Sequence, residues 1–154
     1  MREKSLETGI IAIINSFEYS RAWNANNIPV PIFDKSRNFG GFRKNSHVTG
    51  LSDINGILLK RPIYIECKTE ESIKTFYKDI DAHMPSNLGK STRKRMLRHK
   101  EQWAFLKIVE KCGALVGVVD SMKSFLELEW WSELQLGTSS INQLERWRNL
   151  ANRR

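Results

Sequence analysis

Large apolar residues recur at helical spacing near the start of the chain. Such a stripe predicts an amphipathic helix that packs one face against a core. Glu3 and Glu7 lie one turn apart on this helix, and Glu7 stands at the edge of the apolar stripe. The stripe consists of Leu6, Ile10, Ile13, Ile14 and Phe17.

Strict alternation of apolar and polar residues marks segment 62–68, which reads PIYIECK. Alternation of this kind predicts a β-strand with one face in the core. The apolar segment 52–59 precedes it, and Lys60-Arg61 lies between the two. We therefore expect a β-hairpin with its turn at Lys60-Arg61.

The expected hairpin brings three charged residues to one face. Side chains two positions apart on a strand share a face, so Glu66 and Lys68 point the same way. With the turn at Lys60-Arg61, Asp53 would lie opposite Lys68, and Glu66 would lie diagonal to Asp53. The opposite face would carry apolar residues into the core, namely Ile54, Ile65 and Cys67.

Other elements follow from apolar spacing and from breaks at glycine, proline and serine. They are short strands at 21–25 and 28–33, an irregular basic loop at 34–50, helices at 70–84 and from about 91 to 111, a buried strand at 114–119, a helix from 120 through 131, a break at 137–140, and a last helix at 141–154. This order predicts an α/β fold, or an α+β layer arrangement, with a mixed central β-sheet flanked by α-helices. At 154 residues the chain is expected to form one domain, 1–154, with residues 138–154 as a C-terminal helical extension.

The charge of the chain bears on its binding partner. It carries 25 Lys and Arg against 17 Asp and Glu, a net charge of +8, and its pI is about 9.7. Such a balance favours a polyanionic partner, nucleic acid first and an anionic membrane surface second, although some proteins are basic without such a partner. No apolar run approaches the roughly 20 residues that span a bilayer, and no signal peptide is evident. We expect a cytoplasmic protein with no membrane partner.

Two carboxylates and an ammonium on one face of a sheet suit the hydrolysis of phosphodiesters. Carboxylate oxygens bind Mg²⁺, which polarises a phosphate and lowers the pKa of a bound water. Lys68 could position or deprotonate that water, or offset charge on the reacting phosphate. A Glu66–Lys68 pair alone is also typical of an exposed salt bridge on a strand. The two cysteines, Cys67 and Cys112, lack zinc-binding spacing.

The order of these residues resembles that of a known nuclease family. The matching segments are Gly50-Leu51-Ser52-Asp53-Ile54, Ile65-Glu66-Cys67-Lys68, the helical Gln102, and 113–121, GALVGVVDS. Together with a glutamate on the first helix, they are similar to VRR-NUC-type nucleases of the restriction-endonuclease-like PD-(D/E)xK superfamily, and to Holliday-junction resolvases. The resemblance covers about residues 3–130. Ser52 stands where many members have proline, and the interval from Lys68 to Gln102 is long.

The resemblance implies a restriction-endonuclease-like core and a specific site. Asp53 and Glu66 would bind Mg²⁺ or Mn²⁺, with the backbone carbonyl of Cys67 as a third ligand. Lys68 would be the catalytic lysine. Gln102 would approach the same site from its helix, whereas the alternative for Gln102 is a solvated helix residue.

The helical glutamate has two candidates in this sequence. Both Glu7 and Glu3 fit the loose spacing of the family, and Glu7 is preferred because it lies deeper in the helix. The resemblance further implies a homodimer that cuts branched, flapped or nicked DNA. A phage-encoded protein of this kind would act in the host cytoplasm.

Two basic clusters flank the expected site and could neutralise DNA phosphates. The alternative is that each is a solvated charge run. Two other functions therefore stay open: a catalytically inactive nucleic-acid-binding module on the same fold, and a basic structural or assembly protein. The candidate DNA contacts are Arg43, Lys44, His47, Lys90, Arg93, Lys94, Arg95, Arg98 and His99.

Overall fold

The protein is a mixed α/β structure in which helices flank a four-stranded mixed sheet. The computed structural model describes residues 3–25 and 52–153 in full, and strands 29–33 and 39–44 as backbone. The elements are α1 (Glu3–Asn15), β1 (Arg21–Asn24), β2 (Pro29–Phe33), β3 (Phe39–Lys44), β4 (Ile54–Leu58), β5 (Arg61–Cys67), α2 (Glu70–Asp81), α3 (Lys90–Lys111), β6 (Leu115–Val119), α4 (Met122–Leu126), α5 (Trp130–Glu133) and α6 (Thr138–Ala151).

The strand order in the main sheet is β1-β4-β5-β6. Strands β1, β4 and β5 pair antiparallel, whereas β5 and β6 run parallel. Parallel neighbours need a long crossover, and here α2 and α3 supply it. This crossover places two helices beside the end of β5, where Glu66 and Lys68 lie. The Lys68 main-chain N–H continues the parallel pairing by donating to the Val119 carbonyl at 2.9 Å.

The hairpin of β4 and β5 exists, but the expected turn was wrong by one residue. Leu58 pairs with Arg61, so Leu59 and Lys60 form the turn. Both have positive φ, 50° and 69°, as a two-residue turn that matches the strand twist requires. Neither residue is a glycine or asparagine, so the sequence carries no signal for it.

The observed turn changes which residues pair near the site, but not the sheet face on which each side chain lies. Ile54 pairs with Ile65, so Asp53, one position further, lies level with Glu66 and not with Lys68. This register differs by two residues from the expected one, and a shift of two returns every side chain to its original face. The prediction that Ile54, Ile65 and Cys67 face the core is confirmed, since each is at most 1% exposed.

The two faces of β5 meet different helices. The apolar face packs on α1, α4, α5 and α6 in one continuous core, which includes Leu6, Ile10, Phe125, Trp131 and Leu144. On the other face, Tyr64 meets Phe105 of α3 edge-on, with ring centroids 5.4 Å apart. Both faces of β5 are therefore covered.

Three predicted elements differ from the structure. Part of the expected loop at 34–50 is strand β3, which pairs with β2 in a separate two-stranded sheet. The single helix expected from 120 through 131 is divided into two helices, α4 and α5. The Trp130 indole donates to the Val116 carbonyl and the Trp131 indole to the Phe125 carbonyl, and these hydrogen bonds compete with a continuous helix. Helix α6 begins at Thr138, inside the expected break, and its Leu144 is 3% exposed in the core.

Within the described parts of the chain, none of the helices has both the length and the apolar character needed to cross a membrane.

Gly56 sets how closely β1 approaches β4, and this yields a stability prediction. A Cβ at Gly56 would lie 2.4 Å from the Arg21 carbonyl oxygen, whereas one at Gly89 would meet nothing within 4 Å. We expect Gly56→Ala to lower the free energy of unfolding by about 2–3 kcal/mol, because a backbone clash cannot relax by a side-chain rotation.

Gly89→Ala is the matched control, expected to cost at most about 1 kcal/mol at this helix N-cap. Urea unfolding followed by circular dichroism measures both. Equal stability of the two variants would contradict the close β1–β4 packing.

Candidate active site

The expected site residues meet where β5 ends. Asp53 directly precedes β4, Glu66 lies near the end of β5, Lys68 follows β5, and Gln102 lies in the middle of α3. The Lys68 ammonium donates a hydrogen bond to Oε1 of Glu66. Nε2 of Gln102 donates to the same oxygen at 2.5 Å, and Oε1 of Gln102 lies 3.4 Å from the Lys68 nitrogen. Three side chains from two elements thus form one connected group.

This group is buried, which excludes two alternatives that the sequence left open. Glu66 is 0% exposed, Lys68 7% and Gln102 3%. The Glu66–Lys68 pair is therefore not a surface salt bridge, and Gln102 is not a solvated helix residue. Burying an ion pair costs desolvation and is a poor way to gain stability. Perturbed ionisable groups of this kind concentrate at functional sites.

One oxygen of Glu66 is left without a protein partner. Oε1 accepts from Lys68 and Gln102, but the buried Oε2 has no hydrogen-bond partner among the residues that the structure describes. A buried, unsatisfied carboxylate oxygen is expensive. Burial and then the charge of Asp53 raise the pKa of Glu66 to about 7, although Lys68 and Arg98 oppose the shift.

The pKa values of Asp53 and Glu7 are also raised. Burial raises the pKa of Asp53 despite the hydrogen bond that Oδ2 accepts from the Cys67 N–H at 2.9 Å. Burial and then Asp53 raise the pKa of Glu7. Glu7 also accepts a hydrogen bond from the Asn24 side chain on β1. A cation near these carboxylates would offset their mutual repulsion.

Glu7 and Glu3 of α1 differ in exposure, but both affect the site. Glu7 is half-buried and Glu3 is exposed. The charge of Glu3 nevertheless raises the pKa of Asp53, and that of Asp53 raises the pKa of Glu7. Both therefore act on the same site.

The donor set can be tested against a metal ion. Among the described residues, no group of three or more His, Cys, Asp and Glu side chains is placed to hold one. Mg²⁺ commonly takes only one or two carboxylates and keeps several waters. Asp53 and the unsatisfied Oε2 of Glu66 fit that requirement. The Cys67 thiol does not contribute, because its side chain is 1% exposed on the core face of β5.

The basic residues of α3 fall into two groups. Lys90, Arg93, Lys94 and Arg98 are exposed. Arg98 is near enough to Asp53 and Glu66 to lower the pKa of each. Arg95 and His99 instead bind Asp79 of α2, a role inside the fold that the sequence did not predict. The side chains of Arg43 and Lys44, and the whole of His47, lie outside the described residues.

Asp79 is a buried residue that sequence reasoning missed. It is 4% exposed, and it follows Phe76 by one turn on the inner side of α2. A carboxylate within the apolar face of a predicted helix was the available signal. The Phe76 ring lies 5.3 Å from the Lys68 ammonium, so Phe76 borders the site as well.

The raised pKa of Glu66 gives a prediction about stability and pH. With a folded pKa near 7 and an ordinary value of 4.5, folded Glu66 holds its proton between these pH values while the unfolded chain does not. Stability from this group is therefore present below pH 4.5 and lost as pH rises through 7. Glu66→Gln mimics the protonated form, so it should exceed the wild type in unfolding free energy more at pH 8 than at pH 5, by about 2–3 kcal/mol.

Urea unfolding in EDTA at the two pH values measures this difference. Glu110→Gln serves as control because it removes an exposed carboxylate from α3. A margin for Glu66→Gln that does not change with pH would contradict the prediction.

Comparisons with protein-family models, with curated proteins and with solved structures found no match to this chain.

Proposed function

We propose that this protein is a metal-dependent endonuclease that hydrolyses DNA phosphodiester bonds. The observation that carries the proposal is the buried Glu66, whose Oε1 is bound by Lys68 and Gln102 while Oε2 has no partner among the described residues. A fold that needed only stability would gain more from apolar residues there. An unsatisfied carboxylate beside Asp53 is what a site for a divalent cation requires.

Asp53 and Glu66 would hold Mg²⁺ or Mn²⁺, and the Cys67 main-chain carbonyl would be a third ligand. When bound, the ion supplies charge neutralisation for the phosphate and a more acidic water. The chain itself contributes the Lys68 ammonium, which can donate to a phosphate oxygen as negative charge develops. Gln102 restricts this ammonium by contacting both Lys68 and Glu66.

Phe76 adds to the environment of Lys68. Its fully buried ring lies 5.3 Å from the ammonium, within the range of a cation–π contact. The ring covers one side of the lysine and excludes water from it. Lys68 is thus oriented by an anion, an amide and an aromatic ring, and such restriction is what positions a catalytic group for reaction.

The topology is compatible with a restriction-endonuclease-like core. An antiparallel hairpin carries Asp53, Glu66 and Lys68, and a helical crossover with Gln102 leads to the parallel strand β6. This order agrees with the expected family pattern. We extend the proposal, on that resemblance, to a homodimer that acts on branched, flapped or nicked DNA.

The exposed basic residues of α3 would hold the DNA beside the site. Lys90 to Arg98 extends about 12 Å along the helix at about 1.5 Å per residue. That is the axial rise of roughly three to four nucleotides. The net charge of +8 supports a polyanionic substrate. Arg98 lowers the pKa of both Asp53 and Glu66, so it would contact the phosphate nearest the cut.

Cleavage assays test the catalytic proposal. Wild-type protein with Mg²⁺ or Mn²⁺ should cut at least one of four DNA substrates, a four-way junction, a flap, a nicked duplex or a linear duplex, and EDTA should abolish cutting. Asp53→Asn, Glu66→Gln and Lys68→Ala should each lower the rate at least about 100-fold. The first two would remove a charged metal ligand, and the third would remove the positive charge that stabilises the reacting phosphate.

Metal binding is measured separately by thermal unfolding. Mg²⁺ should raise the Tm of the wild type and of Glu110→Gln, but not that of Asp53→Asn, since a bound ligand stabilises the folded state. Cleavage that persists in EDTA or in Lys68→Ala would contradict the mechanism. Binding of DNA without cutting of any substrate would favour the inactive binding module instead.

The DNA surface is tested by affinity in EDTA, where cutting does not interfere. We expect Arg98→Gln to weaken binding about 3- to 10-fold and to lower the salt slope by about one, because one phosphate contact is lost. Lys111→Gln is the matched control at the far end of α3. Fluorescence anisotropy across a salt series measures both, and an equal effect of the two substitutions would argue against the proposed DNA surface.

A further inference from the structure

A buried carboxylate joins α2 to α3 close to the site. Oδ2 of Asp79 accepts from Nε of Arg95 at 2.9 Å and lies 2.8 Å from Nδ1 of His99. Burial would raise the pKa of Asp79, but the hydrogen bonds from Arg95 and His99 lower it below its ordinary value. Asp79 is therefore ionised at neutral pH, and Nδ1 of His99 carries the proton that it donates.

Two lines of contact run from this pair to the active-site residues. Along α3, His99 and Gln102 lie about one turn apart on the buried side, and Gln102 binds Glu66. Along α2, Asp79 lies one turn beyond Phe76. The Phe76 ring contacts the His99 ring at 5.2 Å and faces the Lys68 ammonium at 5.3 Å. Phe76 thus links the pair to Lys68, and His99 lies about one helical turn from Gln102.

The start and end of α2 are also fixed. Thr69, which directly follows Lys68, caps α2 through a reciprocal pair of hydrogen bonds with Ser72. At the other end, the Lys100 ammonium donates to the carbonyls of Ile80 and Ala82 at 2.7 and 2.9 Å. Asp79 lies in the last turn of α2, so its contact with His99 joins this end of α2 to the middle of α3, one turn from Gln102.

We propose that Asp79 and His99 are positioning residues, which hold α3 so that the Gln102 amide bridges Glu66 and Lys68. Stability alone does not explain the pair, because two buried hydrogen-bonded groups are often replaceable by apolar groups of the same shape with little loss. Its directional hydrogen bonds fix a position that apolar packing leaves looser. The effect on turnover rests on the proposed nuclease function, whereas the effect on Gln102 does not.

The test uses two substitutions of His99 and one control. His99→Phe keeps a ring against Phe76 but removes the Nδ1 donor. His99→Asn removes the ring but places an amide N–H near the Nδ1 position. Glu70→Gln is the matched control, because it breaks an exposed ion pair at the start of α2.

We expect His99→Phe to lower kcat at least about 10-fold while KM changes less than about 2-fold, and His99→Asn to recover most of kcat. In metal-free protein, the side-chain amide NMR signals of Gln102, assigned by their loss in Gln102→Ala, should move in His99→Phe and stay in place in Glu70→Gln. A lower Tm in His99→Phe with unchanged kcat and unmoved Gln102 signals would overturn the proposal, since the pair would then be structural only.

Failure of the nuclease proposal can be told apart from failure of this one. If the wild type cuts no DNA, moved Gln102 signals in His99→Phe still support positioning, and unmoved signals overturn it. If His99→Phe does not fold, Arg95→Gln takes its place, because it removes an exposed partner of Asp79. A shift of the Gln102 signals in that variant supports the proposal, and its absence counts against it.

Discussion

The structure depends on how an ionisable side chain, Glu66, is accommodated in the interior. It is fully buried, one oxygen is bound by Lys68 and Gln102, and its pKa is raised to about 7. A charge in a medium of low dielectric must be paired or neutralised. The protein meets this demand only in part, because Oε2 of Glu66 has no partner among the described residues. The deficit costs stability and leaves the carboxylate available to a cation.

The surroundings of Glu66 follow from that demand. A buried carboxylate needs hydrogen-bond donors, and Gln102 on the buried side of α3 supplies one, with His99 about one turn away on the same side. Those polar residues need partners in turn, and Asp79 of α2 satisfies His99. The crossover between the parallel strands β5 and β6 is thus both a topological connection and the frame of the site. The unsatisfied oxygen of Glu66 lowers stability, and this cost fits the proposed function, because active sites commonly trade stability for activity.

The sequence predicted the face of each residue in the hairpin better than its register. Alternation placed Glu66 and Lys68 together, and this depends only on the period of a strand. The turn was displaced by one residue, because Leu59 and Lys60 adopt positive φ without the glycine or asparagine that usually marks such a turn. Asp53 nevertheless lies on the same face as Glu66 and Lys68, since a shift of two residues preserves the face.

The sequence by itself determined the hairpin, the shared face of the charged residues and most of the helices and strands, because these follow from local periodicity. Only the tertiary structure decided that Gln102 is buried against Glu66, that Asp79 binds His99, and that the segment after Ser121 breaks into two helices. Each of these depends on contacts between segments that are distant along the chain or on tertiary hydrogen bonds that compete with the local pattern. Local periodicity describes each segment by itself, so it does not predict such contacts.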